Sequence, residues 1–140
     1  MPQDATRPNI FPTLRYRDAN RAIEWLVEAF GFDERDTTRD SNGIVVHAEL
    51  QLGAGMIMLG QHDDSAWMGG RAPDALASTS GVYAIIENPD AHYAQARAAG
   101  ADIVREIVDM PYGSREYSAR DLEGNLWSFG TYDPYTYEGG

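Results

Sequence analysis

The sequence predicts an α+β fold built from two copies of a βαβββ module. Two observations carry this. Strand-like and helix-like periods follow one another in the same order in both halves of the chain, and the turn and cap residues of the halves register at nearly one offset. Asp18 and Asp90 lie 72 residues apart, Gly31 and Gly100 69, Gly53 and Gly124 71, and Gly60 and Gly130 70. A module of this size cannot bury both faces of a sheet alone, so two are expected to pack together.

In the first half, Ile10 to Arg17 alternates toward a charged end and is expected to be a strand. Asp18 is a candidate N-cap, and Ile23, Leu26, Val27 and Phe30 then recur at helical spacing. Gly31 stands where a helix C-terminal glycine belongs. Phe32 to Asp40, Ile44 to Leu52 and Met56 to Leu59 are the next strands, separated by turns at Ser41-Asn42-Gly43 and Gly53-Ala54-Gly55. In the second half, Val82 to Glu87 is a strand, and Asn88-Pro89-Asp90 opens a helix. Ala91, Ala94 and Ala98 form that helix's expected buried stripe, His92 is expected to be exposed, and Gly100 ends the helix. Ile103 to Val108, Ser114 to Arg120 and Asn125 to Tyr132 complete the module. The expected organisation is module one over residues 9–60, a linker over 61–79, module two over 80–133, and tails at 1–8 and 134–140.

Composition narrows the function classes. The chain has 140 residues with 22 acidic against 11 basic side chains, a formal net charge of −11. No basic stripe offsets this, so nucleic acid is excluded as an expected partner. No apolar run reaches the roughly 18 residues of a membrane span, and the first eight residues lack the apolar core of a secretory signal. A cytoplasmic protein is the expectation. With no cysteine, disulfides and thiolate chemistry are out. All basic residues are arginine, so Schiff-base chemistry is out too. No serine stands in a nucleophile-elbow context, and Gly53-x-Gly55 is a hairpin turn rather than a phosphate loop.

Three segments carry a family resemblance: Phe11-Pro12-Thr13-Leu14-Arg15-Tyr16-Arg17-Asp18 with its helix, His47-Ala48-Glu49-Leu50, and Arg120-Asp121-Leu122-Glu123-Gly124-Asn125-Leu126-Trp127. With the doubled module, they resemble the vicinal oxygen chelate superfamily. That group includes glyoxalases, ring-cleaving dioxygenases, fosfomycin-resistance enzymes and bleomycin-resistance binding proteins. The resemblance implies curled mixed sheets enclosing a cavity, with helices on the convex side, and a homodimer. Strand alternation then puts Phe11, Thr13, Arg15, His47, Glu49 and Gln51 toward the cavity, with Val46, Ala48 and Leu50 opposite. By the same argument Tyr83, Ile85, Glu87, Glu116, Ser118, Arg120, Leu126 and Ser128 face in, and Trp127 and Phe129 fill the helix side. Trp67, Met68, Tyr112, Tyr132, Tyr135 and Tyr137 either stack on a ligand at the mouth or anchor loops and an interface.

The resemblance also implies one divalent metal, held by His and Glu from the first and last strand of each unit. Those positions fall on Phe11, Met58, Tyr83 and Ser128, none of them a good ligand for a borderline or hard divalent ion. The expectation is therefore no metal and no cofactor. Two functions remain open. One is a metal-free protein that binds a small molecule, planar or cationic. The other is a lyase or isomerase of the glyoxalase type, using His47, Glu49 and Glu116 as an off-position metal site or as acid–base groups. His62 with Asp63 and Asp64 is expected to be a solvated loop cluster.

Overall fold

The structure is a computed structural model, and it describes residues 7–63, 74, 76 and 78–136. The elements run β1 (Thr13–Tyr16), α1 (Ala19–Phe30), β2 (Asp33–Arg39), β3 (Val45–Leu52), β4 (Gly55–Gln61), β5 (Gly81–Ile85), α2 (Pro89–Ala98), β6 (Asp102–Asp109), β7 (Arg115–Arg120) and β8 (Leu126–Gly130). They form two four-stranded mixed sheets, ordered β1-β4-β3-β2 and β5-β8-β7-β6. In each the first strand runs parallel to the last and the remaining pairs are antiparallel. The fold class is therefore α+β with two βαβββ modules, as the punctuation predicts. Trp67, Met68, Asp64 and Tyr137 lie outside the described residues.

Contacts divide the chain into two compact units. The second takes in the last turn of α1, Glu28–Phe30, besides β5 to β8 and α2. In the first unit, Asp18 caps α1 by accepting the Arg21 N–H at 3.1 Å. Gly31 ends it with φ 80°, a conformation that favours glycine. The Gly31 and Phe32 amides return to the carbonyls of Val27 and Leu26, as in a Schellman motif. The buried stripe of α1 is Ala19, Ala22, Ile23, Trp25, Leu26, Ala29 and Phe30. Val27 is exposed at 39%, on the stripe's flank rather than within it. Phe32 before β2 and, from the sheet, Tyr16, Val45, Ala48, Leu50, Ile57 and Leu59 are buried as well. Val46 departs from the expected alternation. A bulge opposite Thr38 and Arg39 sets Val45 inward and leaves Val46 at 53% exposure.

The second unit corrects two expectations about α2. Its N-cap is Asn88, whose side chain accepts the Ala91 N–H at 3.2 Å, with Pro89 at the first helical position. Asp18 and Asn88 are thus the equivalent caps, 70 residues apart, and the Asp18–Asp90 match is two residues out. The inward stripe is also different. Ala91, Ala94 and Ala98 are exposed, while Pro89, His92, Tyr93 and Ala96 turn inward at helical spacing. His92 is not an exposed residue. It lies 4.4 Å from the Phe129 ring and 5.7 Å from the Tyr117 ring, centroid to centroid. A histidine can sit there because both ring nitrogens are bonded. The Phe30 carbonyl at 2.7 Å can only accept, so Nε2 carries the proton and Nδ1 accepts from the Tyr117 hydroxyl at 2.6 Å.

Trp127 and Phe129 occupy the helix side of β8, both fully buried and stacked with centroids 6.2 Å apart. The turn before β8 is held by Asp121. Its carboxylate accepts the backbone N–H groups of Glu123 and Asn125 at 2.9 and 3.0 Å, and the Trp127 indole N–H at 3.1 Å. Gly124 closes the turn with φ 95°.

Two predictions rest on this core. Trp127→Ala should cost about 3–5 kcal/mol in urea unfolding, the range for deleting a large core aromatic; a loss below about 1 kcal/mol would contradict the assigned facing. Burial lowers the His92 pKa from its ordinary value near 6.5, against a smaller opposing effect of the Phe30 carbonyl. The unfolded chain then binds the proton more readily than the folded one. Stability from His92 is intact above about 6.5 and is lost as pH falls below that through the lower folded value. Melting temperatures from pH 7.5 down to pH 5 should fall more steeply for the natural protein than for His92→Gln; equal slopes would contradict it.

Candidate functional site

Each sheet has a helix side and an open face, and strand alternation sorts the candidate residues between them. In the first unit Thr13, Arg15, His47, Glu49 and Met58 lie on the open face, opposite the buried Tyr16, Ala48, Leu50, Ile57 and Leu59. In the second, Tyr83, Ile85, Glu116, Ser118, Arg120, Leu126 and Ser128 lie on the open face, opposite Tyr117, Ala119, Trp127 and Phe129. Phe11 precedes β1 and is not part of it.

The strand register gives the equivalences between the units. Thr13 pairs with Met58, and Tyr83 pairs with Ser128. Both partners differ by 70, the offset of the true helix caps. The first-strand position equivalent to Tyr83 is therefore Thr13, and Phe11 is displaced by the cap mismatch. An error of two residues keeps the face but moves one rung along the strand.

On the first unit's open face, His47 Nε2 and Glu49 Oε2 are 3.1 Å apart. Arg15 lies across Gly60, where a Cβ would strike its guanidinium and come 2.8 Å from the Val46 carbonyl. His62 follows β4 and its N–H donates to the Tyr16 carbonyl at 2.9 Å.

The second unit's open face is more elaborate. Glu116 extends across Gly130, where an added Cβ would strike its Cγ and come 3.1 Å from the Tyr83 hydroxyl. The carboxylate is 6% exposed, and its Oε1 accepts from Arg105 Nη2 and from the Tyr112 hydroxyl, both at 3.0 Å. The Tyr83 hydroxyl donates to the Tyr132 carbonyl at 2.8 Å. The Tyr132 ring stands between two others, 6.4 Å from Tyr83 and 5.6 Å from Tyr112 by centroid. Ser118 and Ser128 share a hydrogen bond of 2.7 Å, and Arg120 Nη1 donates to the Gly124 carbonyl at 2.8 Å. Beyond the tyrosines, Gly113, Ser114, Thr131 and Asp133 join Tyr112 and Tyr132 around a shallow recess of about 210 Å³.

Burial, followed by the Glu116 charge, raises the pKa of Tyr83, and burial with the Glu116 hydrogen bond raises that of Tyr112. Both phenols stay protonated at neutral pH and serve as donors. They are not poised as bases.

Arg105 is absent from the sequence-derived set. Alternation alone would give Ile103 and Arg105 one face. The register shift in β6 sets Ile103 opposite Ala119 on the helix side and Arg105 opposite Ser118 on the open face. A bulge re-aims a side chain in this way without a signature in the residue types.

The donor set does not suit a metal of the kind the fold family holds. The positions concerned offer a threonine and a methionine in one unit, a tyrosine and a serine in the other, with no imidazole or carboxylate among them. Among the described residues no three His, Asp or Glu side chains cluster as a metal group would. Glu116 is bonded to Arg105 and Tyr112.

Residues 10–129 match the sequence model of the Glyoxalase/Bleomycin resistance protein/Dioxygenase superfamily. The chain belongs to that superfamily. An uncharacterized protein of Mycobacterium bovis is 32% identical over 127 residues, spanning 88% of this chain and 82% of its own. The crystal structure of TioX from Micromonospora sp. ML1 is 33% identical, with a TM-score of 0.70 over 90% of this chain and 97% of that one. The fosfomycin resistance protein FosX from Listeria monocytogenes, complexed with Mn(II) and sulfate, shares the fold at 14% identity, with a TM-score of 0.65 over 91% and 94% of the two chains. No helix among the described residues of this superfamily member is long and apolar enough to cross a membrane.

Glycine at position 130 is required by the side chain laid over it. Gly130→Ala should displace Glu116 and cost about 1–3 kcal/mol, the usual range for overpacking. Urea unfolding checks the cost, and the Tyr112 ring signals in an NMR spectrum should move with it. An unchanged spectrum would contradict the contact.

Proposed function

We propose that this protein binds a small organic molecule on the open face of its second unit, without a metal, and acts as a homodimer. The observation that carries the reading is the chemistry of the positions equivalent to the family's metal ligands. Thr13, Met58, Tyr83 and Ser128 supply a hydroxyl, a thioether, a phenol and a hydroxyl. Two of these oxygens are already committed, Tyr83 to Tyr132 and Ser128 to Ser118.

The surrounding groups support binding rather than turnover. Aromatic rings with fixed hydroxyls and a small number of oriented polar groups are what small-molecule sites use. A glyoxalase-type lyase or isomerase would need a metal or a poised base. His47 and Glu49 are paired with each other, and two donors fall short of the three or four protein ligands of a typical catalytic metal site. Membership of the superfamily fits either outcome, since one fold hosts several chemistries.

Metal titration tests the reading. Addition of Zn²⁺, Mn²⁺ or Ni²⁺ at stoichiometric concentration should leave the melting temperature unchanged, and chelator should not lower it. A ligand that binds the folded state at a hundredfold excess over its Kd would stabilise by about 2.7 kcal/mol, which is easily seen. A stabilisation of that size by one of these ions would overturn the metal-free reading.

A further inference from the structure

We infer that the open face of the second unit takes a flat aromatic ligand bearing an acceptor oxygen, held at the Arg105 guanidinium, and disfavours flat cations. The inference rests on the binding reading above and narrows its ligand class.

The flat component follows from how the tyrosines are fixed. Tyr83 and Tyr112 remain 37% and 45% exposed, yet both hydroxyls are bonded inward, to the Tyr132 carbonyl and to Glu116. What they present outward is therefore mainly ring surface. Tyr132 braces both rings at 6.4 and 5.6 Å. Such a platform is ordered before a ligand arrives, so little conformational freedom is lost when a planar group stacks on it.

The charge preference follows from unequal burial within one ion pair. Glu116 is 6% exposed and Arg105 41%, with Nη2 and Oε1 3.0 Å apart. The negative partner lies underneath, and the positive one is at the surface. Nη2 is spent on Glu116 and Nε is buried without a partner, so Nη1 is the guanidinium nitrogen left to meet a carboxylate or phenolate oxygen. The chain's net charge of −11 argues for cations at long range. Screening over about 8 Å at physiological salt weakens that field, whereas a contact with the guanidinium is hardly screened. The other polar groups of the face are turned to one another, Ser118 to Ser128 and Arg120 to the Gly124 carbonyl.

Naphthalene-2-carboxylate and 2-(aminomethyl)naphthalene have the same ring and opposite charge, so calorimetric titration of the full chain with each tests the inference. The carboxylate should bind at least about tenfold more tightly than the ammonium. Arg105→Gln should weaken the carboxylate by about ten- to hundredfold, the ratio a charge-assisted hydrogen bond commands, and Arg105→Lys should recover part of it. Circular dichroism confirms that each variant folds. Equal or tighter binding of the ammonium overturns the inference and leaves the binding reading standing, as does carboxylate affinity indifferent to Arg105→Gln. If neither probe binds at millimolar concentration, the inference and the binding reading fall together.

Discussion

A carboxylate held out of water must find partners, and on the second unit's open face that requirement falls on Glu116. Buried at 6% exposure, it takes Arg105 and Tyr112 on a single oxygen. The arrangement needs room, which Gly130 provides by having no side chain. It needs Arg105 on the open face, which the irregular register of β6 provides. It draws Tyr112 in from the β6–β7 loop, and Tyr132 and Tyr83 then pack beside it. Much of what distinguishes this face from a plain sheet surface traces to that one group.

The two units treat the same architectural position differently. Gly60 and Gly130 each lie under a charged side chain, Arg15 in the first unit and Glu116 in the second. The strand pairings otherwise correspond at an offset of 70 along β1, β4, β5 and β8. A duplicated module thus presents one face with an Arg15, His47 and Glu49 set and another with a tyrosine cluster around an ion pair. Membership of the superfamily explains the scaffold. The activity must be argued from these side chains, because one fold hosts several chemistries.

Much of this was legible in the sequence wherever local chemistry is unambiguous. Asp18 and Gly31 bound a helix through a side-chain cap and a left-handed residue, both short-range effects. The facing of β7 and β8 followed from strict alternation, so Glu116, Ser118 and Ser128 were assigned to one face, and Trp127 and Phe129 to the other. Legibility failed where a non-local partner or a bulge decided the outcome. His92 looked like a surface residue because its acceptor and donor, the Phe30 carbonyl and Tyr117 hydroxyl, are 62 and 25 residues away. Matching Asp18 to Asp90 by residue type misses the cap, because Asn88 serves there and asparagine caps as well as aspartate. The same mismatch of two residues sets Phe11, rather than Thr13, against Tyr83. Arg105 was missed because a register shift leaves no periodic trace.

Native mass spectrometry of the purified protein, without chelator or added metal, tests the central claim most directly. A chain dimer is expected, its excess mass nil or that of an organic adduct. One divalent metal ion per chain, retained at stoichiometry, would contradict it.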